Sequence, residues 1–331
     1  MNIQLSQTSS PFPREEAPLY TSTLKTAFLG QFCNLGYTYE MPVKISCGLD
    51  PSVFFIGSHI SVFKRFFQGA KLPKDGVVVL QDCVRTRNAD MLGNVDFAPR
   101  WGSFFSSLGA LIPYHKLDAI CQDSVDLFIK TLQCVPENVI ARVSARDKDL
   151  LRNVQKLFTP ERIELDTKPE KYYRHSIGMP NVAGRNFNIA LKDPKTGETN
   201  DVGNVIILEK DGAPHAIELA LGVSTILKQM YGLDHILDCH PLLLKPDANP
   251  KNEGVRRQFE DTVITSTALY REGLRPSNKD MRTRLLKKYT TAMKPLAARI
   301  GIGKEGIVSL ADDYQTREYW STCFDARELL N

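Results

Sequence analysis

The sequence predicts an α+β fold, in which helices lie against an antiparallel sheet. Two observations carry this. Val77 to Val84 is rich in β-branched and apolar residues, and Trp101 to Leu108 alternates aromatic and small ones. The pair reads as two strands joined by a long polar loop, Thr86 to Pro99. Further on, Tyr114 to Leu132 reads as a helix, Asn138 to Val143 as a strand and Asp147 to Leu157 as a second helix.

Taken in order, residues 1–20 are rich in Ser, Thr and Pro and predict a loose arm. Thr23 to Gly36 puts Leu24, Ala27, Phe28, Phe32 and Leu35 on one helical face and ends in glycine, a helix with a C-terminal stop. Asp50 to Gly69 reads as a strand, a glycine turn and a short amphipathic segment, with His59 taken as a structural residue. Asp201 to Glu209 is a further strand, and Ser277 or Asn278 is a candidate N-cap for a basic helix beginning near Lys279. Glu305 to Asn331 is net acidic and predicts a terminal helix or two.

Arg85 closes the first strand of the pair and faces a strand rich in phenylalanine. A guanidinium grips phosphate oxygens bidentately and an aromatic face stacks on a base, so the arrangement suits a nucleotide; an ordinary hairpin with a surface arginine has the same residues. Asp234, His235, Asp238, Cys239 and His240 include natural zinc-ligand types. Adjacent Cys239 and His240 rarely both reach one ion, so the stretch reads as a helix end before Pro241 and no metal site is assigned.

Composition narrows the class. At 331 residues, 24% charged and 42% hydrophobic, the chain is ordinary globular material for one large domain or two. The start lacks a basic region followed by an apolar core, and no uncharged apolar run approaches membrane-spanning length, so a membrane partner is not expected. Seven cysteines stand singly with no C-x-x-C pair, which predicts a reducing, cytoplasmic setting. The net charge of +4 is divided unevenly, since Lys251 to Lys304 holds 13 Lys and Arg against 5 Asp and Glu. Such a segment suits a nucleic-acid contact or a solvated helix face.

The hairpin resembles motif 2 of the alanyl-tRNA synthetases, a class II family. Cys83, Val84 and Arg85 match the end of its first strand, and Leu92, Asn94, Val95, Arg100, Phe104, Phe105, Leu108 and Gly109 match its second segment without a gap. Trp101 and Gly102 stand for two histidines there, and Ser106 for a glutamate. Motif 1 is similar through Asp50, Pro51, Phe55, Phe63, Lys64, Phe67 and Gly69, with Ile60 at a methionine position that touches the aminoacyl pocket. Gly178 to Ile189 falls where the family has a glycine-rich loop beside the substrate. Asn204 matches an amino-acid-binding asparagine, Ile206 replaces a valine, and Glu218 stands for the aspartate that holds the substrate ammonium. Gly222 and Ile226 match motif 3, whose arginine is Thr225 here. Gly273, Pro276, Ser277, Asn278, Arg282, Leu285, Lys287 and Lys288 follow the family's acceptor-stem-binding segment.

The resemblance covers roughly residues 23 to 302 and implies a class II antiparallel sheet of six or more strands with flanking helices, followed by a helical C-terminal part. It divides the chain into an arm (1–20), a catalytic domain (21–245) and a helical tRNA-recognition-like domain (246–331). It implies ATP and Mg2+ as cofactors and an amino acid as substrate. Arg85 would bind the α-phosphate, Phe105 would stack on adenine, and Arg100 and Gly222 would complete the ATP site. Ile60, Asn204, Ile206 and Glu218 would hold the amino acid, and Asn278, Arg282, Lys287 and Lys288 would meet tRNA. Three activities follow: an ATP-dependent ligase passing an aminoacyl group to tRNA or to a small-molecule or carrier acceptor, a transferase drawing on aminoacyl-tRNA, and a non-catalytic tRNA- or adenylate-binding module. Thr225, which cannot replace an arginine electrostatically, favours the last two. Pairing of two copies through motif 1 is a further expectation.

Overall fold

The computed structural model describes residues 5–7, 12–244 and 252–330. Helix α1 (Ala17–Asn34) opens the fold, burying Leu24, Phe28 and Phe32 at four-residue spacing. It begins six residues before the expected start. The expected loose arm is packed where it is described: Leu5 and Phe12 are buried, Phe12 stacks on Tyr20 at 4.4 Å, and Arg14 donates to the carbonyls of Leu237 and His240 at 3.0 Å and to Glu260 at 2.9 Å. Apolar burial and these bonds outweigh the Ser/Thr/Pro composition.

The strands are β1 (Thr38–Tyr39), β2 (Val77–Val84), β3 (Phe104–Pro113), β4 (Val139–Val143), β5 (Ile163–Leu165), β6 (Arg174–Ser176), β7 (Val182–Lys192), β8 (Thr199–Lys210) and β9 (Ala213–Gly222). They form one sheet in the order β1-β2-β3-β9-β8-β7-β4-β5, with β6 on the end of β7. Pairing is antiparallel except at the edges, β1 with β2 and β4 with β5. The expected strand over Val77–Val84 is observed at those bounds; its partner starts later than Trp101, at Phe104. Between α1 and β2 the short helix α2 (Ile60–Phe63) follows an extended stretch, where a strand was expected. Ile56 makes only two ladder-like bonds, to Ile45 and Val84. Just before it Asp50 accepts from Ser52 N at 3.1 Å, a local turn that competes with strand pairing.

One face of the sheet is covered by α1, α3 (Leu117–Asp126), α4 (Lys148–Leu157) and α5 (Val223–Tyr231) over the largest apolar core. The other face carries a small cluster under α2 and, beyond it, an open cleft. The stretch expected as a substrate-side loop, Gly178 to Ile189, is strand from Val182 onward. Its Asn186 and Asn188, loop-like by type, are buried and hydrogen-bonded to each other.

The C-terminal helices are α6 (Glu253–Arg271), α7 (Met281–Arg299) and α8 (Lys304–Tyr319). The expected N-cap at Ser277 or Asn278 is taken by Asp280, which accepts from Thr283 N at 3.0 Å while Thr283 Oγ1 accepts from Asp280 N. The described part of residues 246–331 shares one core with Ile45, Phe55, Val84, Ala89 and Phe104 of the sheet domain, and the expected boundary near 245 lies outside the described residues. Among the described residues no helix is long and apolar enough to cross a membrane. The observed α+β architecture, an antiparallel sheet with flanking helices and a helical C-terminal part, is the expected one.

Every residue of α6 from Val255 to Tyr270 is buried. At its centre Asp261 accepts from Ser103 N at 2.6 Å, Ser103 Oγ at 2.7 Å and Asn88 Nδ2 at 2.9 Å, tying both ends of the β2–β3 loop to the helix. Asp261→Ala leaves those buried donors unpaired and is expected to destabilise the protein by about 3 kcal/mol, read by urea unfolding.

Candidate functional site

Alternation along the strands sets the site face. From β2 come Gln81 and Cys83, with Arg85 just beyond; from β3 come Phe105, Ser107 and Gly109. Register places Gly222 opposite Ser107, Ala220 opposite Gly109 and Glu218 opposite Leu111 on β9, then Asn204 opposite Ala220 and Ile206 opposite Glu218 on β8. The centre of this face is therefore floored by small residues. Above it opens a cleft of about 330 Å³, lined in part by Arg85, Trp101, Phe105, Asn204, Ser224 and Thr225.

Arg85 donates from Nε to Gly57 O at 2.7 Å, and its guanidinium carbon lies 4.9 Å from the centre of the Phe105 ring. The arginine is exposed and the ring half-buried, so the pair stands at the cleft mouth. Opposite it, α5 begins at Gly222 with no side-chain cap. The first-turn amides of α5 and the Ser224 and Thr225 side chains thus stand at the cleft wall, a positive helix end with unsatisfied donors.

The deep end is closed. His59 is fully buried, its Nδ1 2.8 Å from Ser107 Oγ and its Nε2 2.8 Å from Glu218 Oε1. The second contact is short but bent, a charge proximity more than a directed hydrogen bond. The ring lies flat on Gly109, where an added Cβ would come within 2.0 Å of its Cδ2. Near Glu218, burial lowers the pKa of His175, which keeps that ring neutral against the pull of the carboxylate.

Of the expected ATP-site residues, Arg85, Phe105 and Gly222 come together; Arg100 is exposed and does not line the cleft. Of the expected amino-acid-binding residues, only Asn204 does. Ile60 and Ile206 lie in the apolar cluster under α2, and the Glu218 carboxylate is taken up by His59. None of the four expected tRNA residues is among the cleft-lining residues, and each makes a contact of its own. Lys287 Nζ reaches Asn278 Oδ1 at 3.3 Å, Arg282 Nε donates to Phe54 O at 2.6 Å, and Lys288 pairs with Asp90 of the β2–β3 loop at 2.5 Å.

Sequence reasoning missed Trp101, 60% exposed, as a lining residue, along with Ser107, Asp201, Ser224 and His240; a tryptophan at the loop end close to Phe105 was the one usable signal. Asp201 is the one carboxylate among the described lining residues. It is already paired with Arg142 at 2.7 Å and bonded by Tyr172. The side chains thus suit an anion with an aromatic base, and they do not fit a protein-held magnesium ion. In the Asp234–His240 stretch the groups are engaged within the protein: His235 Nε2 meets Pro99 O at 2.7 Å, Asp238 meets Arg257 at 2.6 Å, and Cys239 Sγ meets Ser224 O at 3.3 Å.

Beside the cleft, Asp50 and Lys64, two positions of the motif 1 resemblance, form a buried pair at 2.7 Å. Burial would raise the Asp50 pKa; hydrogen bonds from Lys64, Ser61 and Ser52 outweigh that and hold it at about 2. A depressed carboxylate stabilises the fold above its ordinary pKa of 3.8 and loses that contribution as pH falls toward about 2. Asp50→Asn is expected to flatten the acid limb of stability in that window, measured by urea unfolding at each pH. Gly109→Ala drives a methyl into the His59 ring and is expected to cost about 1 to 3 kcal/mol, seen in the unfolding midpoint.

No protein-family profile matches the chain, and no curated protein does. Solved structures that resemble it include asparaginyl-tRNA synthetase from Pyrococcus horikoshii, at 14% identity and a TM-score of 0.41 over 72% of this chain and 69% of that one. Entamoeba histolytica asparaginyl-tRNA synthetase in complex with asparaginyl-adenylate gives 11% and 0.44 over 69% and 66%. The RNA binding domain of threonyl-tRNA synthetase from Cryptosporidium parvum gives 9% and 0.44 over 70% and 67%. These are class II synthetases for asparagine and threonine, and similarity this low carries no argument about substrate.

Proposed function

We propose that the chain binds an adenosine nucleotide in the cleft and acts as an ATP-dependent ligase, forming an acyl-adenylate and passing the acyl group to tRNA or to a small-molecule or carrier acceptor. The observation that carries this reading is the Arg85–Phe105 pair, 4.9 Å apart at the mouth of a cleft of about 330 Å³. A cation over an exposed ring is worth about 0.5 to 1 kcal/mol, and a stacked base about 1 to 3. A nucleotide can therefore take the Phe105 face while Arg85 swings to its α-phosphate.

The first turn of α5 supports the anion from the other side. Amide donors and the Ser224 and Thr225 hydroxyls replace part of what an arginine at position 225 would supply. Asn204 is the expected contact to the acid being activated, and Asn278, Arg282, Lys287 and Lys288 are the proposed contacts to a tRNA acceptor stem. Magnesium, if used, would come with the nucleotide, because the cleft holds no free carboxylate among the described residues.

A second reading, a transferase that takes its acyl group from aminoacyl-tRNA, is favoured by the Glu218–His59 contact and by Thr225. The carboxylate expected to hold a substrate ammonium already lies against His59, and position 225 carries a threonine in place of an arginine.

Calorimetry with a non-hydrolysable acyl-adenylate analogue separates these from an unrelated cleft. Arg85→Ala is expected to weaken binding about 10- to 100-fold, the loss of a charge-assisted bond; unchanged affinity removes Arg85 from the site. Pyrophosphate exchange with each of the twenty amino acids distinguishes the first reading from the second: exchange with one of them names the acid, and none at all with analogue binding intact leaves the transferase.

A further inference from the structure

We propose that Ser107, His59 and Glu218 form a covalent acyl-transfer site at the inner end of the cleft, with Ser107 as nucleophile. The three come from different parts of the chain and meet on the sheet face, Ser107 on β3, Glu218 on β9 and His59 just before α2. His59 Nδ1 is hydrogen-bonded to Ser107 Oγ at 2.8 Å, and its Nε2 lies 2.8 Å from Glu218 Oε1 in the bent contact described above, so the imidazole stands between hydroxyl and carboxylate. With the proton on Nε2, facing Glu218, Nδ1 accepts from the Ser107 hydroxyl. The ring nitrogens are used in the opposite sense to the familiar serine hydrolase order, with the same roles.

Three features set this group apart from a buried histidine satisfying its neighbours. Ser107 lines the cleft, so its oxygen is next to the space a substrate enters. The floor is cut for the ring, since no side chain larger than glycine fits at 109. Ser107 also pairs in register with Gly222, the N-cap residue of α5, so the uncapped first turn begins one residue after the nucleophile's partner. The amides of that turn are the donors that a developing oxyanion needs.

The substrate class is an activated acyl group, an ester or a mixed anhydride. Ser107 Oγ bonds to the carbonyl carbon as its proton passes to His59 Nδ1, and Glu218 steadies the resulting imidazolium. Collapse breaks the bond to the leaving oxygen, which takes that proton and departs, leaving an acyl ester on Ser107. An amine, a hydroxyl or water then attacks the ester, its proton returning through Nδ1 to Oγ. No oxidant or cofactor is needed. Ser107 and His59 are the catalytic residues, and Glu218 is a positioning residue.

The test needs no nucleotide, so its result is independent of the ligase reading. The full chain is incubated with an alkyl fluorophosphonate and followed by intact mass and peptide mapping. One phosphonyl group on Ser107 is expected, absent from Ser107→Ala. Glu218→Gln keeps the shape and is expected to slow labelling about 100-fold, with Glu218→Asp recovering part of the rate, a pattern that packing alone does not produce. Matching thermal melts confirm that the variants fold. Because the native chain is itself the first sample, a folded protein that gains no adduct on Ser107, or a Glu218→Gln variant labelled at the native rate, overturns the proposal.

Discussion

The Asp261 carboxylate is the contact on which the cleft depends. It sits fully buried at the middle of α6 and accepts from both Asn88, near the start of the β2–β3 loop, and Ser103, at its end. Burial raises its pKa, against the hydrogen bonds that pull it down, so the helix holds a group that is costly to leave without partners. Tyr289 of α7 adds a bond to Ser103 Oγ at 2.9 Å, and Gln258 holds Asn94 O and Phe97 O at 2.7 Å each. A loop of this length would wander on its own. Here its backbone is anchored at both ends and in the middle, and Arg85 and Trp101 inherit fixed positions from it.

Charge along the chain and charge on the surface part company in the basic segment. Arg256 and Arg257 count toward its excess, but both are buried among Glu253, Glu260 and Asp238. They cement α6 to the 236–239 turn and to Arg14, and they project little field outward. What remains outside are the exposed lysines of α7, of which Lys287 bonds Asn278 and Lys288 bonds Asp90 at the surface. A count of lysines and arginines cannot make that separation, because it registers neither the burial of α6 nor the contact of Arg257 with Asp238, 19 residues away.

The same distance explains what the sequence revealed of the site. β2, β3, α4 and β8 announced themselves through local pattern, because a half-buried strand or an amphipathic helix writes its period into adjacent residues. Arg85 and Phe105 were legible through a motif, being close in one hairpin. Ile60 and Ile206 lie in the apolar cluster and not among the cleft-lining residues, a difference hidden in sequence because an apolar residue beside a cleft and one beneath it look alike, and only the register of β8 on β9 places Ile206 next to buried Glu218. His59 was read as structural since nothing local points to Ser107, 48 residues on, or to Glu218. The packed segment before α1 was hidden by composition: its two apolar anchors, Leu5 and Phe12, are few, and Phe12 packs against Tyr231 of α5 as well as Tyr20 of α1.

The burial of α6 also orders events in time. The helix that steadies the front wall of the cleft lies in the last quarter of the sequence, and its contacts to residues 88–103 span about half the chain. During synthesis the N-terminal sheet must leave the ribosome with that loop unanchored and the floor of the cleft open to water. Long-range closure of this kind is slow compared with local helix formation. A chain that stops short of α6 is expected to keep the apolar core under α1, α3, α4 and α5 while leaving residues 88–103 without their Asp261 anchor.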